Sequence, residues 1–129
     1  MTAAVWWAVG VAAAVMLARL LIGPVRRGRD ALARRRQARL RAEALLLAWL
    51  SPDQRAQYRA RGWFEVTTAA GHRYRVCGGG VVRRDVRGAG FCIEAVSPVP
   101  VADEMLANKL LLETDERRFL ATAHRFRYR

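Results

Sequence analysis

Three features of the 129-residue chain predict an α+β protein. An apolar run opens it, an arginine-rich stretch of helix formers follows, and then come alternating apolar–polar segments separated by glycine turns. The expected architecture is an N-terminal single transmembrane helix (1–23), a basic helical stalk (24–50), a small antiparallel sheet of three to four strands flanked by helices (51–124), and a basic tail (125–129). Lys+Arg number 23 against 11 Asp+Glu, a net charge of +12, and Lys109 is the one lysine. The hydrophobic share of 53% is too high for a disordered polycation, and 2 cysteines are too few for a disulfide scaffold or a four-thiolate zinc site.

The anchor is read from Ala3 to Ile22, where Arg19 is the lone charge. About twenty helical residues reach roughly 30 Å, the thickness of a bilayer's hydrocarbon core. Arg19 can snorkel to the headgroups at one end, and Trp6 and Trp7 suit the interface at the other. A cleaved signal peptide fits less well, because the charges follow the apolar run instead of preceding it. A buried helix of a globular fold fits less well too, because a short chain offers little core to hide it. Gly23-Pro24 should break the helix. The arginines after it set the orientation, with the N-terminus outside and the C-terminal domain cytoplasmic. Gly10, Ala14 and Ala18 form small-residue steps on which two such helices could pack, a weak pointer to a homo-oligomer.

Residues 25–50 read as one helix built from Ala, Leu, Arg, Gln and Glu. Arg19, Arg26, Arg27, Arg29, Arg34, Arg35 and Arg36 are the candidate contacts to anionic lipid. The same helix could neutralise nucleic-acid phosphates. No aromatic interleaves its arginines, however, so nucleic acid ranks below lipid as a partner. The apolar end, Ala44 to Leu50, should pack against the next domain.

Ser51-Pro52-Asp53-Gln54 is a capping box with Pro at the first helical position, and Gly62 stops that helix. Residues 63–68 and 72–76 alternate as a hairpin, with Phe64, Val66, Tyr74 and Val76 inward. Residues 81–86 and 91–96 continue the meander, and Pro98 and Pro100 end it. In the helix after Asp103, Leu106, Ala107, Leu110 and Leu111 form the expected core stripe. A break near Thr114 should let Thr114 cap a last helix that buries Phe119, Leu120 and Ala123, with Asp115 and Glu116 favouring its N-terminus. The tail from Arg125 is expected to fray.

Residues 50–124 resemble a small domain of uncharacterised actinobacterial and phage proteins. The resemblance lies in Gly62-Trp63-Phe64-Glu65-Val66, Tyr74-Arg75-Val76, the run from Pro100 through Lys109 to Leu110, Leu112-Glu113-Thr114-Asp115-Glu116, and Phe119-Leu120-Ala121-Thr122-Ala123. It implies a bacterial protein with a domain boundary near residue 50 and carries no activity. Members often have Asn where this chain has His124, so no role transfers to that position.

Little in the chain points to catalysis. Ser51 and Ser97 each precede a proline, and Gly78-Gly79-Gly80 lacks the lysine and helix of a phosphate loop. His72, Cys77, Cys92 and His124 are the right residue types for zinc or for a Cys–His nucleophile, but no close-spaced ligand pair is present. No catalytic, cofactor or metal residue is therefore assigned. The expected function is a membrane-tethered cytoplasmic interaction module whose partners are lipid and a further protein. A metal- or thiol-dependent enzyme using those four residues is the alternative, and nucleic-acid binding through the arginine-rich helix comes after it.

Overall fold

The computed structural model describes the backbone of residues 2–93 and 95–127, with side chains at 13–17, 28–93 and 95–127. The chain divides into two compact units, Met1–Gln37 and Ala38–Arg129. Helix α1 spans Thr2–Trp49, and α2 spans Pro52–Arg61. Four strands follow: β1 (Trp63–Thr67), β2 (Arg73–Cys77), β3 (Gly80–Arg83) and β4 (Ala89–Cys92). Helices α3 (Val101–Thr114) and α4 (Glu116–Thr122) precede a last strand, β5 (His124–Arg127).

No helix among the described residues is long and apolar enough to cross a membrane. This overturns the transmembrane helix over 1–23, the single-pass topology, and the placement of a cytoplasmic domain behind a membrane anchor. The expected break at Gly23-Pro24 is absent: both residues lie inside α1, which carries the apolar and arginine-rich stretches in one element.

The antiparallel sheet has five strands in the order β1-β2-β3-β4-β5, against the three to four expected. The extra strand is the supposed tail, which pairs with β4 through Ala89↔Arg127, Gly90↔Phe126, Phe91↔Arg125 and Cys92↔His124. A polar four-residue segment has almost no strand signal of its own; β4's free backbone supplies the pairing. The Phe126 ring lies over Gly90, where an added Cβ would stand 2.5 Å from it.

The core lies between one sheet face and the helices. Phe64, Val66, Tyr74, Val76, Val81 and Phe91 come from the sheet, Met105, Leu112 and Phe119 from α3 and α4, and Ala42, Leu46 and Leu50 from the end of α1 and the residue after it. Tyr74, Phe91 and Phe119 meet edge-to-face, with ring centroids 6.0–6.5 Å apart. The apolar end of α1 therefore packs as expected at Leu46 and Leu50, while Leu45 and Trp49 face outward.

Local signals hold well in α2. Ser51 accepts from the Gln54 N–H, Gln54 returns the bond to Ser51, and Gly62 closes the helix at φ 73°. In α3 the buried face is turned from the one expected: Met105, Leu106, Lys109 and Leu112 are buried and Ala107 is exposed. Lys109 is tolerated because its stem packs inward while Nζ reaches Glu113 at 2.7 Å. The cap of α4 is Asp115, not Thr114; its carboxylate accepts from the Arg118 N–H at 2.9 Å.

Candidate functional site

The sheet has two edges with different fates. At the β1 edge, Glu65 directs its backbone away from β2. Its N–H donates to the Gln57 side chain at 2.8 Å, and its C=O accepts from the Gln54 side chain at 2.9 Å. Helix α2 carries both glutamines and so seals that edge. The capping box that starts α2 also places Gln54 there.

At the β5 edge, among the described residues, no side chain or backbone outside β4 bonds to the strand. All four of its residues are exposed. Arg125 and Arg127 lie on it, paired across to Phe91 and Ala89. Beside it opens a cavity of about 270 Å3, walled by Val86, Ala89, Phe91, Leu120 and Ala123 and rimmed by Arg83 and Arg125. The walls are apolar and the rim is cationic.

A polar knot lies where α4 meets the β1–β2 hairpin. Glu116, in the first turn of α4, accepts from the Thr68 hydroxyl at 2.9 Å, His72 Nδ1 at 2.8 Å and the Tyr74 hydroxyl at 2.5 Å. Burial pushes the Glu116 carboxyl up, but the hydrogen bonds from Tyr74, Thr68 and His72 outweigh it and leave the pKa below the usual carboxylate value. Burial, then the bond to Glu116, raises the Tyr74 hydroxyl well above its ordinary value. Because an ionised carboxylate only accepts, His72 donates to it from Nδ1. The hydroxyls nearest to it, Thr68 and Tyr74, both donate to Glu116, so no nucleophile stands ready. The knot's direct effect is to fasten α4 to the hairpin. Next to it, Arg83 forks onto Asp85 at 2.8–3.1 Å and holds that carboxyl below its usual range.

The four residues weighed for metal or thiol chemistry do not converge. His72 belongs to the Glu116 knot, and the Cys77 thiol donates to the Gly80 carbonyl at 3.2 Å. Cys92 and His124 are cross-strand partners on β4 and β5, the one pairing among the four. Both cysteines are free thiols, and among the described residues no group of three or more His, Cys, Asp or Glu could hold a metal ion. The hollow of about 360 Å3 beside Cys92 is lined by Ile93, Pro98 and Glu104 and by neither His72 nor Cys77.

Of the arginines assigned to lipid, Arg29, Arg34, Arg35 and Arg36 lie exposed on α1. The side chains of Arg19, Arg26 and Arg27 lie outside the described residues. Reading the chain alone placed Glu116 at a helix N-terminus and missed both its three partners and the β5 edge. The alternation in His124-Arg125-Phe126-Arg127 was the one available signal for that edge. Comparison with protein-family models, curated proteins and solved structures finds no match to this chain.

Proposed function

We propose that the unit Ala38–Arg129 is a protein-interaction module that takes an extended acidic segment as a sixth strand on β5. The observation that carries this reading is the contrast between the edges: Gln54 and Gln57 bond the Glu65 backbone at the middle of β1, while among the described residues β5 has no partner beyond β4. An open edge is normally protected, because unpaired N–H and C=O groups recruit any strand they meet. Strand addition draws affinity from main-chain hydrogen bonds and specificity from side-chain pockets. Here the adjoining apolar cavity supplies the pocket, and Arg83, Arg125 and Arg127 supply the charge preference. Pairing of β5 with a second copy is opposed, since it would set Arg125 and Arg127 against their own kind across the new ladder.

The test is fluorescence anisotropy of the full chain with a labelled eight-residue peptide alternating Glu with Val or Leu. Three comparators probe the mode: the same peptide with Lys for Glu, the same peptide with Pro at every second position, and the R125E/R127E variant. The expected result is binding of the acidic peptide alone and a loss of tenfold or more in the variant. Equal binding of the proline peptide would defeat strand addition. A concentration-dependent dimer by sedimentation would replace the acidic partner with a second copy.

A further inference from the structure

The sheet face turned away from the core carries a second concentration of chemistry, separate from the β5 edge. Strand alternation places Trp63, Glu65 and Thr67 of β1 and Arg73, Arg75 and Cys77 of β2 on it, opposite the buried Phe64, Val66, Tyr74 and Val76. The Arg75 guanidinium lies 4.0 Å from the Trp63 ring centroid, and that of Arg61, from the end of α2, lies 5.0 Å from it. Arg84 joins the same face, where its Nε stands 3.6 Å from the Glu65 carboxylate, beyond hydrogen-bond reach. Arg73 and Arg84 are both exposed. Arg75 Nε is buried and finds no hydrogen-bond partner. Four guanidinium groups and one carboxylate thus share this face, Arg61 and Arg75 at Trp63, Arg84 at Glu65 and Arg73 opposite Thr67.

This arrangement differs from a solvated basic patch. Both the Arg61 and the Arg75 guanidinium lie within cation–π range of the indole, which restrains them and lowers the freedom they lose on binding. Planar forks match phosphate oxygens bidentately. A second aromatic lies across the sheet in one register row: Glu65 pairs with Arg75, Arg75 with Val82, Val82 with Gly90, and Gly90 with Phe126. Four inter-strand steps at ~4.8 Å make that row roughly 19 Å long. Phe126 lies over Gly90 and keeps 37% of its surface exposed. The arginines gather at the Trp63 end of this row, and Phe126 stands at the other end beyond Val82 and Gly90.

We infer that this face binds single-stranded nucleic acid, with Arg61, Arg73, Arg75 and Arg84 on phosphates, Trp63 holding Arg61 and Arg75 in place, and Phe126 as the platform for an unpaired base. Aromatic groups along a positively charged track are the general means of holding single strands without reading sequence. A duplex is disfavoured, because its bases are already stacked and a flat sheet presents nothing that enters a major groove. The arginine-rich part of α1 can attract any polyanion, so the claim rests on preference and on variants of this face.

The experiment measures binding of the full chain to a labelled 20-nucleotide oligo-dT, to a duplex of equal length, and to anionic vesicles of phosphatidylserine and phosphatidylcholine, from 50 to 300 mM NaCl. The expected result is single-strand affinity at least tenfold above duplex. The share of the log–log salt slope due to this face should be about −3, from four phosphates at about −0.7 each. R73E/R84E, which alters two exposed side chains, should lose tenfold or more on oligo-dT and flatten the slope by more than 1. E65Q removes the opposing carboxylate and should tighten oligo-dT binding about threefold, a gain that misfolding cannot mimic. R34Q/R35Q/R36Q on α1 should weaken all ligands together and keep the single-strand preference. Equal affinity for single strand and duplex would overturn the inference. So would an R73E/R84E variant that melts with the wild type and binds like it, or a single-strand preference that vanishes with the α1 variant alone. Vesicle binding that R73E/R84E abolishes while oligo-dT binding persists would reassign the face to lipid headgroups.

Discussion

Replacing Glu116 by Gln leaves the shape of the side chain and removes the charge on which three donors converge. In the native protein Oε1 accepts from Tyr74 and His72, and Oε2 accepts from Thr68. With its carbonyl oxygen at the Oε1 position, Gln still serves Tyr74 and His72. Its amide then faces Thr68, whose hydroxyl can rotate to accept. What is lost is the charge assistance on all three bonds. A hydrogen bond to a charged group contributes about 1.5–3 kcal/mol and a neutral one about 0.5–1.5, so the variant should be destabilised by about 3 kcal/mol. Glu116→Ala should cost about 4 kcal/mol, because it also strands the hydroxyl of Tyr74, a residue with 0% exposure. At roughly 4–8 °C per kcal/mol for a domain of this size, E116Q should melt about 12–24 °C below the wild type at pH 7.

The pH dependence supplies the sharper check. Glu116 has a folded pKa below its model value of 4.5. Its contribution is therefore fully present above the unfolded pKa and is lost as pH falls through the folded one. The gap between wild type and E116Q should shrink as pH falls below the unfolded value of 4.5 and close once it passes the lower folded one, where both carry a neutral side chain. Melting followed by circular dichroism from pH 3 to 8 reads this directly. An E116Q variant within 2 °C of the wild type at pH 7, or a gap that stays constant down to pH 3, would refute the reasoning.

Two further outcomes test the packing. Leu46→Ala should destabilise the Ala38–Arg129 unit by about 2–5 kcal/mol in urea unfolding, since Leu46 is 0% exposed, whereas Leu45→Ala, at a position 48% exposed, should change it by less than about 0.5 kcal/mol. Gly90→Ala should drive a methyl into the Phe126 ring, found 2.5 Å from the ideal Cβ position, and cost about 1–3 kcal/mol; hydrogen exchange should rise first at the β5 amides.

The local elements were largely legible because their causes are local. Ser51, Pro52, Gln54 and Gly62 cap α2 through bonds a few residues apart, and the alternation from Trp63 to Val76 needs only the period of a strand. Pro24 misled for a complementary reason: proline marks a helix end in the absence of other support, yet here α1 continues through it. Hydrophobic run length, taken alone, suggested a membrane span that no described helix supports.

Composition, charge, the capping motifs and the β1–β2 hairpin were determined by the sequence itself, since each depends on residue chemistry or on neighbours within one turn of chain. Tertiary structure decided the rest. It made a strand of His124–Arg127 by offering β4 as a template, and it turned α3 to bury Lys109 beside Glu113. It also brought Glu116 to Thr68, His72 and Tyr74 across more than forty residues. Those contacts are selected by how the elements pack around one core, and no short stretch of chain encodes that arrangement.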